Sequence, residues 1–245
     1  MAKRTDSKVD RKRKLEELKR AQRAKERRKT LMTVVAASVV GLVLVGSVVA
    51  ASVKESRDKK AAARKATAER EANVAKAKTE LPTLGTPAAT AECSPEQADE
   101  KISEANQHVQ VGTKVDYQGG PPTGGQHAGQ TLTMDDQNFY EMDADEQLTE
   151  MAVHNLEHGV VVAWYDKKLP AAEVEALKKI AANTKTQGRR FLVMPWQRGD
   201  LPAKPLYLTA WGHKQGCSKA SGETVGQFLD KFENGKDAPE RGAPV

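Results

Sequence analysis

Residues 30–53 read TLMTVVAASVVGLVLVGSVVAASV, twenty-four positions without one charged side chain. At ~1.5 Å per residue such a helix spans ~36 Å, enough to cross a ~30 Å hydrocarbon core with some tilt. A buried helix of a water-soluble fold would show a polar stripe, and none interrupts this run. The run therefore predicts a membrane anchor. A cleaved signal peptide is the rival reading, with Val48-Val49-Ala50 as its cleavage site. The long basic region ahead and the length of the apolar core favour an uncleaved anchor.

The flanks and the cysteines orient it. The net charge is +6, but residues 1–30 carry fourteen Lys and Arg against five Asp and Glu, which is +9, so the remainder sums to −3. Beside the span the Lys/Arg counts are nearly equal, seven in 15–29 and six in 54–68. Only the larger total over the tail points its N-terminus to the cytoplasm, and the cysteines break the tie. The basic tail is expected to lie on the anionic inner leaflet. No aromatic residue is interleaved with its charges, which disfavours nucleic acid as its partner. Cys93 and Cys217, the two cysteines of the chain, both follow the span. An even pair in one folded stretch suits a disulfide in an oxidising compartment, with two unrelated thiols as the alternative.

The expected organisation is a basic cytoplasmic tail (1–30), a transmembrane helix (31–53), a polar helical stalk (54–80), a linker rich in Pro, Gly and Thr (81–92), an extracytoplasmic domain (93–235) and a disordered tail (236–245). Within the domain, Ser94-Pro95-Glu96 reads as the start of a short helix to about residue 106. Residues 108–117 alternate as a strand does, and 119–127 form a glycine loop ending on an imidazole. Asp143 and Glu146 have capping-box spacing, so a helix is expected from about Ala144 to His158, closed by Gly159. A strand over 160–165, a helix after Pro170, strands over 190–196 and 206–211, and a helix carrying Val225, Phe228, Leu229 and Phe232 complete the pattern. The fold class is α+β, a small mixed sheet with one helical layer.

The chemistry concentrates in His154-Asn-Leu-Glu-His158. On a helix, His154 and His158 share a face and can reach one ion, with His127 of the glycine loop as a third ligand. Tyr140, Met151, Glu157 and His213 are outer candidates. Three imidazoles suit a zinc or copper ion, and a thioether from Met151 would lean toward copper. The same residues also suit a small polar ligand, or purely structural histidines near a helix end in an envelope structural or interaction protein. H-x-x-E-H is in addition the spacing of a class of zinc peptidases in which the glutamate acts as base, here Glu157. The motif runs straight into a strand, so a binding or structural protein is favoured over an enzyme. Cys93 and Cys217 form no C-x-x-C, which removes a thioredoxin-type site.

Together, Gly120-Pro-Pro-Thr-Gly-Gly-Gln-His127, His154-Asn-Leu-Glu-His-Gly159 and Leu208-Thr-Ala-Trp-Gly212 resemble the bacterial membrane-anchored proteins grouped as domain of unknown function 3105. The resemblance spans roughly residues 105–235. Gly124 and Gln126 stand where the family more often has Ser and Pro. The resemblance implies an N-terminal span and an extracytoplasmic domain, and it implies no activity.

Overall fold

The computed structural model describes residues 3–99, 102 and 107–245, with side chains at 11–40, 52, 54–99, 102 and 107–245. The chain divides into two compact units, residues 1–68 and 69–245. In order, the elements are α1 (Lys3–Glu80), β1 (Gln97–Ala98), β2 (His108–Val109), β3 (His127–Ala128), α2 (Leu148–Glu157), β4 (Val161–Tyr165), α3 (Ala171–Thr186), β5 (Phe191–Pro195), β6 (Leu206–Ala210), β7 (His213–Cys217) and α4 (Gly222–Phe232).

Helix α1 takes in the basic tail, the apolar run and the polar stretch after it. Its hydroxyls bond to their own helix: Thr30 Oγ1 donates to Glu26 O, Thr33 Oγ1 to Lys29 O and Ser38 Oγ to Val34 O. Leu31, Met32, Val34, Val35, Val39 and Val40 are all exposed. Among the described residues no helix is long and apolar enough to cross a membrane. Side chains 41–51 and 53, the second half of the expected anchor, lie outside the described ones.

Residues 81–92, expected as a linker, are packed instead. Two single 3-10 turns, Leu81–Thr83 and Ala88–Thr90, lead into the fold, and Leu81 and Ala91 are buried. Thr86 N donates to Ala220 O and Gly222 N to Leu84 O, so this segment closes against the entry of α4. The short helix expected at 94–106 does not begin at Ser94. Cys93 is bonded to Cys217, which brings the following residues beside β7. There Ser94 N donates to Gly216 O, and Gln97 and Ala98 pair with Lys214 and His213. Residues 100, 101 and 103–106 lie outside the described ones.

The main sheet has the order β1-β7-β6-β4-β5. Strands β4 and β5 run parallel, connected through α3, and the other pairings are antiparallel. Every residue of β4 is buried. Val161, Ala163 and Tyr165 face one core with Leu177 and Ile180 of α3 and Val225, Phe228 and Leu229 of α4. Val162 and Trp164 face a second core with Ala152, Val153 and Leu156 of α2. The expected single helical layer is therefore corrected to helices on both faces. The continuous apolar run at 160–165 is what a strand covered on both sides requires.

Two more expectations change. Helix α2 starts at Leu148, not near Ala144, and the Asp143/Glu146 capping box does not form. Glu146 turns instead to Lys114 at 2.8 Å and Arg198 at 3.1 Å, and Asp145 Oδ1 accepts from Gln147 N at the helix entrance. Of the strand expected over 108–117, only His108 and Val109 are paired, in a two-residue parallel ladder with His127 and Ala128. The chain then turns, Thr113 N donating to Gln110 O with Gly112 at φ +88°.

Candidate metal centre

The sheet and α2 fix one wall. His154 lies in the last turn of α2 and Glu157 ends it, three positions on, so both project from the same side. The backbone leaves the helix through Gly159 at φ +83°. A Cβ there would sit 2.8 Å from Asn234 Cα, so a side chain at this position meets both left-handed backbone strain and a clash. The side chain of Asn155, between the two ligand candidates, accepts from Leu132 N at 2.8 Å and donates to Leu132 O at 2.9 Å. It thereby fastens the segment after β3 onto α2.

The β2–β3 ladder supplies the other wall. His108 and His127 are register partners, with ring centroids 4.9 Å apart. The glycine loop before His127 is pinned at several points. Gly212 N donates to Thr123 O, Thr123 Oγ1 to Asp99 Oδ2 and Tyr117 Oη to Gln126 O. A Cβ on Gly124 would come within 3.1 Å of the Trp211 ring, so the loop lies flush on that indole. The same ring meets His127 edge-on, with centroids 6.1 Å apart. Burial, reinforced by the Glu150 carboxylate, pushes the Tyr117 phenol far above its ordinary range, so it stays a donor.

Four of the five histidines of the chain meet here. The rings of His127 and His154 are 4.8 Å apart, those of His108 and His154 4.7 Å, and those of His154 and His158 4.7 Å. Glu157 Oε2 lies 2.8 Å from His127 Nε2, 3.6 Å from His108 Nε2 and 3.9 Å from His154 Nε2. One ligand atom from each of His108, His127, His154 and Glu157 can be chosen so that all four lie within 4.8 Å of one another. Bonds of ~2.0–2.1 Å to a tetrahedral ion place ligand atoms ~3.3 Å apart, and the three Glu157 distances straddle that value. This buried His/Glu cluster can hold a metal ion.

His127 carries the strongest chemical signal. Its Nδ1 lies 2.7 Å from Gly125 O, a contact that places a proton on Nδ1 and turns Nε2 toward the other ligands. A metal-bound histidine is fixed to its backbone in the same way. His127 Nε2 faces Glu157 Oε2 at 2.8 Å. A ring nitrogen and a carboxylate oxygen that close need a cation between them, a proton or a metal ion. His154 is buried as well, and its Nδ1 has no hydrogen-bond partner among the described residues. Burial, then the neighbouring His127, His158 and His108, hold its pKa below the ordinary imidazole value, against the pull of Glu157. The ring is thereby kept in the neutral form that binds metals. His108 alone of the four is well exposed, its side chain retaining 47 % of its surface, and it gives the cluster its route to solvent.

The residues expected as ligands are placed as follows. His127 and His154 lie together with Glu157. His158 stands beside His154, but its Nδ1 is 2.8 Å from Pro244 O and its Nε2 is 3.1 Å from Glu240 Oε2. His154, His158 and Glu240 make a second group whose ligand atoms lie within 4.8 Å of one another. Met151 is half-buried and packs against the apolar cluster on α2's side of the sheet. His213 is elsewhere, stacked on Phe232 and facing Glu96 and Asp237. Tyr140 contributes its carbonyl to Tyr165 Oη. Sequence reasoning missed His108 and Glu240 as members.

Glu240 belongs to residues 236–245, expected to be disordered. That expectation is corrected: Glu240 N donates to Glu157 O and Gly242 N to His158 O, while Asn234 N donates to Gly159 O. Arg190 Nη1 donates to His158 O and Ala243 O. The last carbonyls of a helix lack partners within it, and here the returning chain supplies them.

A family model described as "Protein of unknown function (DUF3105)" matches residues 108–245. The match covers more than half of the chain, and it takes in every member of the two groups, from His108 to Glu240. No curated protein and no solved structure matches the chain. The disulfide between Cys93 and Cys217 suggests that the domain is extracytoplasmic.

Proposed function

Because the chain belongs to the DUF3105 family, whose description carries no activity, we propose from the site itself that this protein binds a transition metal ion. The ligands are His108, His127, His154 and Glu157, and the ion is Zn(II), for which three imidazoles and a carboxylate near tetrahedral spacing are well suited. The observation that carries the reading is His127 Nε2 turned onto the Glu157 carboxylate at 2.8 Å, its Nδ1 spent on Gly125 O and the His108 and His154 rings beside it. Copper is the competitor, and Met151, half-buried against the apolar cluster, adds no support for it. The test uses the full chain purified in detergent, stripped with a chelator and dialysed against Zn(II) or Cu(II). At least one equivalent of Zn(II) is expected to remain at submicromolar free ion, and the His127→Ala/His154→Ala pair is expected to lose it. Metal content at background in the unaltered chain would end the proposal.

We also propose that residues 31–53 form a single membrane span with the N-terminus cytoplasmic and the folded domain outside. The uncharged run and the exposed apolar side chains of α1 support this. The basic tail then faces the anionic inner leaflet. Protease added to intact cells is expected to release a fragment starting in or after residues 54–80. A domain cleaved only after the cells are opened would reverse the orientation.

A further inference from the structure

Resting on the metal reading above, we propose a second cation site, held by His154, His158 and Glu240, that shares the His154 ring with the first. The arrangement at His158 repeats the one at His127. In both, Nδ1 is spent on a backbone carbonyl, Gly125 O in one case and Pro244 O in the other. In both, Nε2 then faces a carboxylate oxygen, at 2.8 Å for Glu157 and 3.1 Å for Glu240. The ring between them, His154, has its Nε2 3.9 Å from Glu157 Oε2, while its Nδ1 is buried with no hydrogen-bond partner among the described residues. A buried ring nitrogen without a partner is costly, and an outer ion coordinated by Nδ1 removes that cost. With both nitrogens coordinated the ring is an imidazolate, and its one N–H proton goes to solvent.

The two sites differ in character. Three of the four inner ligands are buried, whereas Glu240 keeps 51 % of its side-chain surface, so the outer ion is the more readily exchanged. The outer ion also joins two distant parts of the chain. It would clamp the returning C-terminal segment to the end of α2, where Glu240 N and Gly242 N already bond to the carbonyls of Glu157 and His158.

The test is a Zn(II) titration of the chelator-stripped full chain in detergent, read as bound equivalents by elemental analysis after dialysis. Two equivalents are expected, the second at least tenfold weaker than the first. Glu240→Gln and His158→Asn are each expected to leave one. Thermal unfolding of each metal-free variant, compared with the unaltered chain, reports whether the fold is kept. A single equivalent in the unaltered chain, or a second equivalent that survives both substitutions, overturns the outer site and leaves the inner one standing. No bound ion at all overturns the inner site, and the outer one with it.

Discussion

Reduction of the bond between Cys93 and Cys217 is expected to lower the unfolding free energy of the domain by about 5 kcal/mol. The two residues are 124 positions apart, and closing a loop of that size removes about that much conformational freedom from the unfolded chain. Against a total stability on the order of 5–15 kcal/mol, the loss is a third or more. The bridge also seats a particular piece of structure. It holds Ser94 on Gly216 and β1 on the β7 edge, where Glu96 reaches His213 and Lys231. Urea unfolding of the metal-free chain with and without reductant measures the effect. A difference below about 1 kcal/mol would mean that the unfolded chain is already compact, or that the bridge strains the native state.

The second large effect lies at Arg198, which joins α2 to the segment carrying Val115 and Tyr117. Its Nη2 is 2.8 Å from Glu150 Oε2, its Nη1 donates to Val115 O, and its Nε is 3.1 Å from Glu146 Oε1. Glu150 is buried, and its other oxygen accepts from Val115 N at 2.7 Å. Arg198→Met strands that carboxylate in the interior, which costs about 3–5 kcal/mol. The double change Glu150→Gln/Arg198→Met should cost less than Arg198→Met alone, because no unpaired charge is left. Thermal or chemical unfolding of the three variants decides it, and a double change costing the sum of the singles would show the two groups to be uncoupled. The damage should reach the His/Glu cluster too, since Tyr117 from the same segment holds the carbonyl of Gln126, next to His127.

Local pattern made α3, α4 and strands β4 to β6 legible, because their apolar spacing is complete within a few residues. It also brought out the i, i+4 pair His154 and His158. What escaped was set by contacts between remote segments. His108 enters the centre through a ladder only two residues long, which leaves almost no periodic trace. Strand β7 reads His-Lys-Gln-Gly-Cys, and its half-exposed polar positions conceal a strand that pairs with β6 along its whole length. Glu240 sits in a stretch of Gly, Pro and charged residues. It is ordered through backbone bonds to α2 rather than through an apolar face, and no side-chain pattern records such bonds. The second helical layer did leave a signal, the unbroken apolar run from Val160 to Tyr165, but a run of that kind does not say what covers each side.

Strand β4 has the further effect of dividing responsibilities. Neighbours on it, such as Val162 and Ala163, belong to opposite cores, and the helix bearing His154 and Glu157 sits on one of them only. Repacking around α3 and α4 can proceed without touching the half that carries the imidazoles. A lineage or a designer is therefore free to retune the robustness of the scaffold and its ligand chemistry as two separate dials.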